Sequence, residues 1–72
     1  MTNNPCIQIG RAISARREEC QLTIKELATK AKMSENRLLQ IELGKTNLRL
    51  TTLIQISKAL DIKVYDVIKM IE

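Results

Sequence analysis

Glu35, Asn36, Arg37 and Gln40 place four hydrogen-bonding side chains within six residues. Arginine can bridge O6 and N7 of guanine, and asparagine or glutamine can bridge N6 and N7 of adenine, because each presents two polar atoms at the spacing of a base edge. Any polar helix face carries such residues, so the group also fits a solvated surface. Other chemistry is poorly provided for. The sequence has no His, and its two cysteines, Cys6 and Cys20, lie fourteen positions apart without a CxxC. Zinc ligation, haem attachment, Cys-His nucleophiles and imidazole acid-base catalysis therefore lack their residues. No catalytic residue, metal site or cofactor is expected. Tyr65 is the one aromatic residue, which argues against stacking single-stranded bases on aromatic platforms.

The elements that would position Glu35 to Gln40 are two short helices joined by a tight turn. Thr23-Ile24-Lys25-Glu26 has the form of a capping box and starts one helix. Leu27, Ala28 and Ala31 give it a single apolar stripe before Lys32-Met33-Ser34, where Ser34 is a good N-cap for the next. That next helix runs to about Leu43 and stops at Gly44, which can take a left-handed conformation. Two helices crossing steeply need a small residue at the crossing. Ala28 supplies it, while Leu27, Ala31, Leu38 and Ile41 fill the angle. The helix-turn-helix unit thus spans about residues 24–43.

Around it the periodicity predicts three more helices and no strands. The first runs from about Ile7 to Cys20, with Ile9, Ile13 and Cys20 on one stripe beside Ala12. A helix between the cysteines holds them about 21 Å apart, beyond the ~7 Å limit for a disulfide within one chain; both read as small, semi-buried apolar residues. Leu50, Leu53, Ile54, Ser57 and Leu60 mark a fourth helix, and Val64, Val67, Ile68 and Ile71 a fifth. No repeat or linker divides residues 1–72, which are expected to form one domain.

At 72 residues with 44% apolar content, such a domain buries only about 60% of its unfolded surface, and surplus apolar surface can serve a second subunit. Charge is unevenly placed: residues 1–49 hold nine Lys/Arg against five Glu, whereas residues 50–72 hold three Lys against three acids. A basic segment beside a neutral, apolar one fits a polyanion on the first and a protein on the second; surface lysines serving solubility are the plainer alternative. The N-terminus lacks a basic n-region, and no apolar run exceeds two residues, so no membrane association and a cytoplasmic location are expected.

In these features the chain resembles the Cro/C1-type helix-turn-helix regulators, the XRE family, from about Ile9 to Val67. The resemblance rests on Ile13 and Arg17, on Leu22-Thr23 followed by Glu26-Leu27-Ala28, and on Ser34, Leu38 and the run Ile41-Glu42-Leu43-Gly44-Lys45. Asn47, Leu53 and Lys58-Ala59-Leu60 continue it. It implies an all-α, five-helix lambda-repressor-like domain, usually a homodimer on a two-fold symmetric operator in double-stranded DNA, with the third helix in the major groove. The small size is similar to stand-alone members such as restriction-modification controller proteins, and less closely to phage Cro or antitoxins. Arg17 and Glu42 match a family pair that forms a largely buried salt bridge.

Departures accompany the matches. Ile24 stands where the family often has Gln, Leu48 where Pro is common, and Asp61 where Gly often follows the fourth helix. Lys32 holds the turn position usually given to Gly, and either accepts a left-handed backbone at roughly 1 kcal/mol or the turn differs. Leu39 replaces a small or polar residue, and either meets thymine methyl groups or packs across the helix pair near Ile24. On this resemblance Glu35, Asn36, Arg37 and Gln40 are expected to read bases, while Thr23, Lys25, Lys45, Thr46 and Asn47 contact phosphate. Ile62, Tyr65 and Met70, off the core stripe, are expected at a dimer interface. The alternative is a protein-interaction module on the same fold, such as an antitoxin or cofactor, with weak DNA binding.

Overall fold

The computed structural model describes residues 4–70, Met70 by its backbone alone. Five helices follow one another: α1 (Pro5–Glu19), α2 (Ile24–Lys30), α3 (Glu35–Glu42), α4 (Leu50–Ala59) and α5 (Val64–Met70), with no strand among the described residues. Side chains start four of them. Thr23 and Glu26 form the capping box at α2, with Glu26 N donating to Thr23 Oγ1 at 3.1 Å and Thr23 N to Glu26 Oε1 at 2.9 Å. Ser34 Oγ accepts from Arg37 N at 3.1 Å to start α3. Before α5, Lys63 N donates to Asp66 Oδ2 at 3.2 Å. α1 begins two residues before Ile7 because Asn4 Oδ1 accepts from Cys6 N at 2.9 Å and Pro5 takes the first helical position, where its missing N–H costs nothing. It ends at Glu19, with Cys20 as its cap.

The helix ends share one device. After α1, α2, α3 and α4 the next residues but one, Gln21, Lys32, Gly44 and Asp61, have φ of 59, 58, 72 and 57°. In each case the following amide reaches back to close the last turn: Leu22 to Arg17 O, Met33 to Ala28 O, Lys45 to Gln40 O and Ile62 to Ser57 O. These are Schellman motifs, and three of the four use a residue with a Cβ where glycine is free of strain. The motif also sends Leu22, Met33 and Ile62 inward, so all three are packed against the core.

The core is Ala12, Ile13, Leu27, Ala28, Ala31, Leu38, Ile41, Leu53, Ile56, Leu60 and Val67. Two expectations are corrected. Leu50 is 64% exposed at the first residue of α4, and Ile56 is fully buried in its stead. Ile68 is 43% exposed, so α5 offers the core chiefly Val67 and, in part, Val64. Ile71 lies outside the described residues. Between α2 and α4, Gln55 Nε2 donates to Ala31 O at 2.6 Å, tying the two helices by a carbonyl at the end of α2.

α3 is set against α1 more closely than ordinary side chains allow. A Cβ added at Gly10 would lie 2.5 Å from Glu42 O and 2.6 Å from Ile41 O, so the two backbones touch there. Gly44 meets Ile7 in the same way, with a would-be Cβ 2.7 Å from Ile7 Cα. On the same seam Arg17 Nε and Nη2 donate to Glu42 Oε2 and Oε1 at 2.8 and 3.1 Å, and Arg17 Nη1 donates to Leu22 O at 2.9 Å. The side chains are 15% and 6% exposed. Hydrogen bonding to Glu42 raises the Arg17 pKa above its ordinary value despite the opposing effect of burial, so the guanidinium stays charged at every accessible pH.

Two stability outcomes follow. Glu42→Ala strands a guanidinium that cannot lose its proton, and urea melts should show a loss of about 3 to 5 kcal/mol, whereas replacing the pair by Arg17→Met with Glu42→Leu should cost far less. At the exposed Lys32, relief of the left-handed backbone should outweigh the added freedom of the unfolded chain. Lys32→Gly should therefore stabilise by about 0.5 to 1 kcal/mol, while Lys30→Gly, at the last residue of α2 where the backbone is right-handed, should destabilise instead.

Candidate nucleic-acid interface

Because Leu38 and Ile41 are buried, the opposite side of α3 faces solvent. Glu35, Asn36 and Arg37 are exposed and Gln40 is half-buried. The loop after α3 returns beside this face. Ser34, Asn36, Arg37, Gln40, Lys45 and Thr46 line one open cleft of about 270 Å³. Three of the expected base readers and two of the expected phosphate contacts are thus brought together; Ser34, marked in the sequence as a cap and not as a contact, joins them. Glu35 does not line the cleft.

The remaining expected contacts sit apart from it. Asn47 is exposed, and its Oδ1 faces Cys6 Sγ at 3.9 Å, linking the loop to the start of α1. Thr23 and Lys25 are exposed at the start of α2. The Thr23 amide is taken by Glu26, whose carboxyl is held below its ordinary pKa first by that backbone hydrogen bond and then by the Thr23 hydroxyl. Glu26 therefore keeps its negative charge at neutral pH beside the α2 terminus.

Electrostatics separate this cleft from a second one. The α3 cleft has Arg37 and Lys45 on its wall and no acid, and neither cation makes a salt bridge among the described residues. A second cleft, at the α4–α5 turn, is lined by Lys58, Asp61, Ile62, Lys63 and Asp66, so its two cations are matched by two carboxylates. An anion gains from the first and little from the second.

At the C-terminal end, Tyr65 is 65% exposed, with Lys69 Nζ 5.9 Å from its ring centroid. Ile62 is half-buried: the Schellman turn after α4 packs it against the core, and it also lines the α4–α5 cleft. The Met70 side chain lies outside the described residues. Ile68, expected in the core, joins Tyr65 as exposed apolar surface on α5. No described helix is long and apolar enough to cross a membrane.

Comparison with known proteins places this geometry. No curated protein matches the chain. Among solved structures, the clp gene regulator ClgR from C. glutamicum is similar with a TM-score of 0.87 and 26% identity, over 90% of this chain and 84% of that one. The master regulator for biofilm formation SinR, in complex with DNA, is similar with a TM-score of 0.78 and 33% identity, over 83% of this chain and 97% of that one. The restriction-modification controller protein C.Esp1396I, a tetramer in complex with its natural 35 base-pair operator, gives a TM-score of 0.82 and 26% identity over 92% of each chain. The helix-turn-helix family profile matches residues 13–67, from the buried Ile13 of α1 to the buried Val67 of α5. The five helices, the α2–turn–α3 unit and this match together establish that the chain belongs to the XRE-type helix-turn-helix family of DNA-binding regulators.

Proposed function

We propose that the chain is a sequence-specific transcriptional regulator that acts as a homodimer on a two-fold symmetric operator, with α3 in the major groove. The observation that carries this is the α3 cleft: two cations without a matching acid stand beside Asn36 and Gln40, two side chains suited to adenine edges. The DNA complex of SinR and the operator complex of C.Esp1396I are consistent with it. Asn36, Arg37 and Gln40 read bases, with Glu35 at their margin; Lys45, Thr46 and Asn47 hold phosphate after α3, and Thr23 and Lys25 do so at α2. Tyr65 and Ile68, exposed on α5 in the neutral part of the chain, supply apolar surface for the second subunit. Residues 1–72 act in this as one domain, and no catalytic step belongs to the reading.

The alternative, a protein-interaction module with weak DNA binding, would draw on exposed apolar side chains at Ile24 and Leu39, and of these Ile24 packs against the core. Selection from a random duplex pool tests the proposal, and the enriched sites should carry half-sites about one turn (~34 Å) apart. On such a duplex Arg37→Ala should cost about 1 to 3 kcal/mol and leave affinity for scrambled duplex nearly unchanged. Lys45→Ala should weaken both alike and flatten the log-affinity against log-salt slope by roughly 0.9 for each phosphate no longer neutralised, about two units for a dimer. Equal losses on both duplexes for Arg37→Ala would remove it from the base readers, and failure to enrich any site would favour the alternative.

A further inference from the structure

The outward face of α3 has two unlike edges. At about 100° per residue, Asn36 points directly away from the line between the buried Leu38 and Ile41, with Gln40 about 40° to one side and Leu39 about 60° to the other. The Gln40 side continues through Arg37 into the cationic cleft with Lys45 and Thr46. On the Leu39 side, Leu39 is 42% exposed and Leu43, one turn further along, is 50% exposed, with the exposed Glu35 one turn before Leu39 at the outer margin. Ile24 and Met33 pack against the core from the neighbouring helix and turn, but Leu39 is not among the residues packed there. A packing role across the helix pair is therefore taken by others, and Leu39 stands at the surface beside Asn36.

From this placement we infer that Leu39 is a specificity-determining residue that reads the C5-methyl group of a thymine in the major groove. The inference rests on the DNA-binding reading above. A helix that brings Asn36 and Gln40 to base edges carries Leu39 to the same depth on the other flank. A leucine there can satisfy no donor or acceptor, so most base edges facing it would lose water without gaining a partner. The thymine methyl is the one apolar group on the major-groove edge of the four bases, and burying it against a leucine removes apolar surface from water on both sides. The two edges then divide the work: Arg37, Asn36 and Gln40 select by hydrogen bonds, and Leu39 by a methyl group that hydrogen bonding cannot sense.

Deoxyuridine, which is thymidine without that methyl, isolates the contact. Each thymine of a selected duplex is replaced in turn, symmetrically in both half-sites, and affinities are measured for the wild-type protein, Leu39→Ala and Leu39→Met. Wild type should show one half-site position where loss of the methyl weakens binding by about fourfold per half-site, on the order of fifteenfold for a dimer. Leu39→Ala should bind the thymine and uracil forms of that position equally while keeping the wild-type ratio at every other position. Leu39→Met should retain the preference. Indifference of the wild-type protein to uracil throughout, or an unchanged ratio in Leu39→Ala, with duplex binding intact, would overturn the inference alone and direct attention to a protein partner for the Leu39 edge. Absence of duplex binding by the wild-type protein would overturn the DNA-binding reading and this inference with it.

Discussion

Arg17 and Glu42 join α1 to the last residue of α3 through two parallel N–H···O bonds, and a third bond from the same guanidinium holds Leu22 O in the turn before α2. One side chain thereby fixes the relation of three segments. Beside it the α1 backbone at Gly10 lies against the carbonyls of Ile41 and Glu42, with no room for a side chain. This seam sets how α3 is rotated. With Glu42 turned to α1 and Leu38 and Ile41 turned to the core, Asn36 has to face outward, and Leu39 and Gln40 have to flank it. The face proposed to read DNA is what remains of a short helix after its packing obligations are met.

Such a domain has little stability to spare, yet it carries visible costs. Gln21, Lys32 and Asp61 hold left-handed backbone conformations at about 1 to 2 kcal/mol each, and the buried Ser57 hydroxyl has no hydrogen-bond partner among the described residues. The left-handed turns are offset by what they allow: they satisfy the last carbonyls of α1, α2 and α4 and drive Leu22, Met33 and Ile62 onto the core. The steep reversal between α2 and α3, which gives the helix-turn-helix its angle, is one of these turns. The strain at Lys32 is thus part of how α3 is presented.

Much of this was legible in the residues. Thr23 with Glu26, Ser34 and Gly44 mark the ends of α2 and α3 by local chemistry, and the structure has them in those roles. Asn4-Pro5 carried an equally local signal for α1, but apolar spacing alone points to Ile7. The facing of α4 was not recoverable from spacing, because Leu50, Leu53, Ile54, Ile56 and Leu60 spread over nearly half of its circumference; packing buries Ile56 at one edge of that arc and leaves Leu50 exposed. The contacts of Gly10 with Glu42 and of Gln55 with Ala31 join residues far apart in the chain, and no local pattern encodes them. The polar group at Glu35 to Gln40 was visible as a set, whereas the cationic edge formed where Arg37 and Gln40 meet Lys45 depends on where the loop after α3 returns.

The most direct test of α3 as the DNA-reading element is an amide chemical-shift map of the isotope-labelled protein titrated with a selected duplex. If the α1–α3 seam presents Asn36, Arg37 and Gln40 to the groove, the largest changes should fall on Ser34 to Gln40 and on Lys45 to Asn47, with smaller ones at Thr23 to Lys25. Changes centred on α4 and α5, with Ser34 to Gln40 unmoved, would contradict it.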